Sequence, residues 1–269
     1  MPTRYLPPEM LDYIVDILHD DPQALHNCCF VAKSWVPRTR KHLFAKIGFN
    51  SPKDLQSWRK TFPDPSNSPA RYTRTLSVKY AKDATVADTV EGGCIPTFSR
   101  VVCLELYIHP TSLREISLSP FHQFSPTLKS LHVNTVAFPC TRIFNLALSF
   151  PLLEDLSFVC FNLSSSTYDD GYPDAPQAII PSISPAFTGS LKLVLLRDME
   201  IAARQLLDLP NGLNFRNLNF SWCREGDLQW MKELVVACCD TLESLDVTHL
   251  LPGTVLFCFV WGLGADPNL

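Results

Sequence analysis

A short apolar signature recurs along most of this chain at a nearly constant interval, and it constrains the fold more than any other feature. It reads Leu128-x-x-Leu131-x-Val133, Leu153-x-x-Leu156-x-Phe158, Phe215-x-x-Leu218-x-Phe220 and Leu242-x-x-Leu245-x-Val247. Looser copies are Phe44-x-x-Ile47-x-Phe49, Thr73-x-x-Leu76-x-Val78, Val101-x-x-Leu104-x-Leu106 and Leu191-x-x-Val194-x-Leu196. The central residues are 47, 76, 104, 131, 156, 194, 218 and 245, at intervals of 29, 28, 27, 25, 38, 24 and 27. Apolar alternation with period two marks a strand with one buried face. Between the copies, apolar residues fall at helical spacing: Leu55, Trp58 and Phe62; Ile143, Leu146, Ala147 and Phe150; Leu228, Met231, Leu234, Val235 and Cys238. One strand–helix unit cannot bury its apolar faces alone, so neighbouring units must stack. The expected fold class is α/β, a solenoid of parallel strands with returning segments.

Alternation also says which side chains stay outside. If Leu131 and Val133 point inward, Ser130, His132 and Asn134 point outward. The same logic exposes Ser157, Val159, Ser221, Asp246 and Thr248. Any recognition is expected to fall on this face, with Lys79, Glu105, Tyr107, His132, Asn134, Asp155, Arg197 and Asn219 as candidate contacts. For most of these the plain alternative is solvated sheet, since a minority of interface residues carries most binding energy. The long interval holds an insertion at 164–187, rich in Ser, Pro and Asp, which reads as an exposed loop. It is a tolerated insertion first, and a recognition loop or phosphorylation site second. Residues 80–96 form a weaker loop, turning at Gly92-Gly93.

The first part of the chain follows another rule. Leu11, Ile14, Val15 and Leu18 fall at i, i+3, i+4 and i+7, one face of a helix. Pro7 and Pro8 suit its start, and Glu9 complements the positive end of the dipole. Asp20-Asp21-Pro22 ends it, and Asp21 is placed to cap a second helix carrying Leu25, Cys28 and Cys29. Ser34 is the expected cap of a third, from Trp35 to Leu43. Three short helices make a marginal core, so part of their apolar excess, Trp35 included, is expected to face a partner. Arg38, Arg40, Lys41 and His42 read as a solvated helix face near a C-terminus, with a phosphate or localisation role second.

Leu6-Pro7-Pro8-Glu9, then Ile14 and Leu18, then Cys28-x-x-Val31-x-Lys33-x-Trp35 resemble the F-box motif, over roughly residues 6–47. That resemblance implies a three-helix module that binds the Skp-type adaptor of cullin–RING ubiquitin ligases. It assigns the contact to Leu6, Pro7, Leu11, Ile14, Leu18, Val31 and Trp35. The repeats resemble leucine-rich repeats of the longer, irregular kind, although the usual Asn or Cys after the strand is mostly missing. The organisation implied is an F-box-like module at 1–43, a leucine-rich-repeat-like solenoid at 44–250, and an apolar tail at 251–269. The first strand, at 44–49, joins the module to the solenoid without a linker.

Composition narrows the alternatives. Of 269 residues, 46% are hydrophobic and 19% charged, enough to bury a sizeable core. The net charge of -4 supplies no broad basic field for nucleic acid or an anionic membrane. Ten scattered cysteines without a CxxC pair, and no signal peptide, suit a reducing intracellular compartment, cytoplasmic or nuclear. The sequons at Asn162 and Asn219 are then chance matches. The tail is shorter than the ~20 residues a membrane-spanning helix needs. It is expected either to pack under the last repeat or to reflect a truncated or misjoined gene product. Nucleophile elbow, phosphate loop, dinucleotide fingerprint and zinc spacing are all missing from the sequence. His26 with Cys28 and Cys29 matches no zinc pattern, and Asp169-Asp170 lacks an apolar pocket. The expectation is a non-enzymatic substrate adaptor without cofactor or metal. A non-ligase scaffold and a small-molecule receptor are the alternatives.

Overall fold

The computed structural model describes residues 7–80, 95–108, 118–135, 141–160, 187–195, 199–209, 211–223 and 225–248. Eight strands form one sheet, all parallel and in chain order: β1 (Lys46–Phe49), β2 (Thr75–Tyr80), β3 (Cys103–Ile108), β4 (Ser130–Thr135), β5 (Asp155–Cys160), β6 (Ser190–Leu195), β7 (Asn217–Ser221) and β8 (Ser244–Thr248). Three helices precede it: α1 (Pro8–Ile17), α2 (Pro22–Val31) and α3 (Val36–Leu43). Parallel neighbours require a crossover. Here the crossovers contain α4 (Pro52–Thr61) after β1, α5 (Thr141–Leu148) after β4, α6 (Met199–Leu207) after β6 and α7 (Leu228–Ala237) after β7, while 3-10 turns lie between β2 and β3 (Ile95–Thr97) and between β3 and β4 (Ser119–Phe124).

The inward positions line up in register. Ile47, Leu76, Leu104, Leu131, Leu156, Leu191, Leu218 and Leu245 form one row across the sheet. Phe49, Val78, Leu106, Val133, Phe158, Leu193, Phe220 and Val247 form the next. Large buried aromatics, among them Phe121, Phe124, Phe150 and Phe215, fill the space behind these rows. Each fully buried side chain of this size contributes about 1.5–3 kcal/mol.

One strand corrects the sequence reading. The centre of the sixth copy is Leu191, not Val194, and the two irregular intervals become 35 and 27. Residues 191–196 read LKLVLL and offer apolar residues in both registers. Centring on Val194 would turn Lys192 inward and bury an unpaired charge. The observed register leaves Lys192 exposed. Phe187, at φ 44, supplies the preceding apolar position and packs its ring 5.0 Å from that of Phe215.

A recurring backbone bond sets the entry of each strand. The carbonyl of Ala45 accepts from the amides of Arg74 and Thr75, that of Arg74 from Val102 and Cys103, and that of Val102 from Lys129 and Ser130. The same double acceptance recurs at Lys129, Gly189 and Arg216. It changes between β5 and β6. There Gly189 N–H donates to Glu154 O at 3.1 Å, and Ser190 N–H donates to the Asp155 carboxylate at 2.7 Å. A Cβ on Gly189 would lie 2.3 Å from Asp155 Oδ1, so this close approach needs glycine.

The helices before the sheet are tied down locally. Asp21 caps α2 by accepting from Ala24 N–H at 2.9 Å, as expected. Ser34 does not cap α3; the N-cap is Trp35, without a side-chain bond, and its carbonyl accepts from the buried Thr39 hydroxyl at 2.8 Å. Val15, Leu25 and Cys28 are buried. Only Phe44 and Ala45 separate α3 from β1, and α3 also packs on the 3-10 turn Pro69–Tyr72. Of the expected loops, 164–187 except Phe187 and most of 80–96 lie outside the described residues, as does the tail.

Candidate functional site

Helix α1 carries two apolar stripes. Leu11, Val15 and Leu18 face the module, with Val15 buried and the other two half-buried. Met10, Tyr13, Ile14 and Ile17 occupy i, i+3, i+4 and i+7 on the other side, and Tyr13 and Ile17 are 68% and 61% exposed. At the end of α2, Phe30 and Val31 are 77% and 66% exposed. Six of the eleven large exposed apolar side chains among the described residues therefore belong to these two helices. Single exposed apolar residues are ordinary, whereas such a concentration is unusual.

A charged clasp holds α1 against α3. Asp16 on α1 accepts from Arg38 Nε at 2.6 Å and from the Arg38 terminal nitrogen, and His42 Nε2 lies 2.7 Å from the same carboxylate. The Arg38 guanidinium, then His42, holds the Asp16 carboxyl well below the usual carboxylate range. This corrects the reading of Arg38 to His42 as one solvated face. Arg38 and His42 turn inward, 31% and 20% exposed at the side chain, and Arg40 and Lys41 remain outside.

The residues assigned to adaptor binding divide in the structure. Leu6 lies outside the described residues. Pro7 is exposed, and its carbonyl accepts from the amides of Met10 and Leu11. Ile14 and Val31 are exposed; Leu11, Leu18 and Trp35 are half-buried. Met10, Tyr13, Ile17 and Phe30 are the apolar residues the sequence reading missed. The signal was available for α1: the same helical period, begun one residue earlier, selects Met10, Tyr13, Ile14 and Ile17.

The outward face of the sheet is polar, and many of its groups already have partners. Lys46 Nζ donates to Glu105 at 2.8 Å, and Lys79 Nζ stands 5.3 Å from the centre of the Tyr107 ring. Asp155 accepts from the Ser130 hydroxyl at 2.9 Å and from the Ser190 amide and hydroxyl, each at 2.7 Å. Burial alone would raise its pKa, but these hydrogen bonds hold it below the ordinary value. Asn219 donates to Asp246 at 2.6 Å and accepts from Ser221 at 3.1 Å. His132 and Asn134 are half-buried, and burial pushes the His132 imidazole pKa down. Arg197 lies outside the described residues. The β6 register gives the outward positions of that strand to Ser190, Lys192 and Val194, and Lys192 has no ion pair among the described residues.

Nothing among the described residues groups three His, Cys, Asp or Glu side chains in a way that could hold a metal. Burial pushes the thiols of Cys103 and Cys238 up to about 11 and that of Cys223 up to about 12, which keeps them protonated at neutral pH. No helix among the described residues is long and apolar enough to cross a membrane. Comparison with known proteins returns no matching family model, no matching curated protein and no matching solved structure.

Proposed function

We propose that this chain is a substrate-recognition adaptor of an SCF-type cullin–RING ubiquitin ligase. In this reading α1 to α3 form an F-box module that docks a Skp-type adaptor. The parallel-stranded units act as a leucine-rich-repeat-like solenoid, whose outward face holds a target protein. The observation that supports it most is the exposed stripe of Met10, Tyr13, Ile14 and Ile17 on a helix clasped to α3. Such a stripe suits helix-to-helix docking, where apolar anchors at this spacing enter a groove. The short junction between α3 and β1 suits the role too, because a target held at a fixed distance from the transferred ubiquitin reacts through proximity.

Pull-down with a Skp-type adaptor tests the reading. Wild type is expected to capture it, and the double variant Tyr13→Asp with Ile17→Asp to lose capture while melting like wild type. Failure of wild type to capture the adaptor, or equal capture by the variant, rejects the assignment.

A further inference from the structure

Charge in this chain is segregated. Residues 33–80 hold eleven Lys and Arg (Lys33, Arg38, Arg40, Lys41, Lys46, Lys53, Arg59, Lys60, Arg71, Arg74 and Lys79) against two acids, Asp54 and Asp64. The rest of the chain holds 12 basic and 25 acidic residues. A net charge of -4 conceals this asymmetry.

The fold gathers part of the excess at one edge. The Arg74 amide donates to Ala45 O and its carbonyl accepts from Val102 N–H, each at 2.8 Å, so Arg74 lies between the entries of β1 and β3. Arg40 and Lys41 occupy the last turn of α3, just before Ala45; Arg71 precedes Arg74, and Arg100 precedes Val102. All five are exposed, and none has an ion pair among the described residues. The same edge is neutralised further along the sheet, where Lys129 pairs with Glu154 at 2.6 Å and Arg216 with Glu243 at 3.4 Å. The later units supply a carboxylate beside the cation at this position. The first three do not.

We propose that the entry edge of β1 to β3 docks a carboxylate-rich segment of a partner protein. The cations come from neighbouring segments at this edge, the end of α3, the turn before β2 and the approach to β3, so they are spread along it and not gathered at one point. A row of single carboxylates fits that layout, and guanidinium groups can grip each one bidentately. The acidic remainder of the chain opposes a long nucleic acid, whose binding needs a continuous basic track. Arg71 also meets Tyr72, its guanidinium 4.9 Å from the ring centre and a terminal nitrogen donating to the hydroxyl at 2.9 Å. This edge is separate from the α1 stripe, and its assignment does not depend on the ligase reading.

Fluorescence anisotropy with the full chain and a labelled synthetic peptide of alternating Asp and Ala tests it. Saturable binding that weakens with added salt is expected, with no binding of the matching Asn–Ala peptide. Arg71→Gln with Arg74→Gln should weaken binding by about tenfold or more. Lys192→Gln, an exposed cation elsewhere, should leave it unchanged, and all variants should melt like wild type. Absence of saturable binding by wild type, or equal weakening by Lys192→Gln, overturns the proposal. So does tighter binding of a single-stranded oligonucleotide, which assigns the edge to nucleic acid. Salt-sensitive self-association lost in the arginine variant overturns it in favour of a second copy.

Discussion

The α1–α2 surface and the outward face of the sheet both lie away from the core, but their side chains are in opposite states: the outer stripe of α1 is exposed, whereas Glu105, His132 and Asp155 are half-buried and the expected outward residues Ser157 and Ser221 are buried. On α1 the outer stripe is apolar, and burial in a partner would release water from it. On the sheet, Glu105, Asp155 and Asn219 have polar partners of their own. A polar residue on a surface can therefore be structural, while an apolar one on a helix can be the better candidate for contact. What separates them is whether the group already has its interaction inside the molecule.

Substitutions can break that comparison. The largest effect belongs to neither surface. Leu131→Ala, in the buried central row, should cost about 2–5 kcal/mol in urea unfolding, because neighbours on both strands cannot close the cavity. Next comes Asp155→Ala, which strips the Ser190 amide and two hydroxyls of their acceptor and should cost about 1–3 kcal/mol. A stability loss near zero on this outward residue, with target capture abolished, would return Asp155 to the recognition face. Asp16→Asn should cost about 0.5–1 kcal/mol at neutral pH, since the clasp is partly exposed. Its folded carboxyl titrates below the unfolded one, so the stabilisation is complete above the unfolded value of about 3.9 and disappears as pH falls through the folded value. Urea midpoints of wild type and Asp16→Asn should thus differ at neutral pH and converge on acidification. The smallest effect is expected for Tyr13→Ser with Ile17→Ser, within about 0.5 kcal/mol of wild type by thermal melting. A large loss there would show that the outer stripe of α1 packs within the molecule.

Much of the sheet was legible because alternation is local. The inward rows of β1 to β5, β7 and β8 follow from a period of two, and the strand-to-strand interval predicts parallel neighbours. It failed at β6, where the run Leu193-Val194-Leu195-Leu196 carries no alternation to choose between registers. Lys192 and the approach of Gly189 to Asp155 decide there. The Asp16–Arg38–His42 clasp was illegible for a different reason: its members are 22 and 26 residues apart, and nothing local pairs them. The basic edge escaped because net charge averages over the whole chain.

By itself, the sequence determined that units of strand and return would stack, which strand residues face the same way, and that α1 is apolar over much of its circumference. These depend on period, and period is set by backbone geometry. Tertiary structure alone decided which α1 stripe is covered, which outward carboxylates are already engaged, and which segments bring exposed cations to the entry edge of the sheet. Each of those depends on what a distant segment places beside a side chain, and a residue's own neighbours in sequence do not specify it.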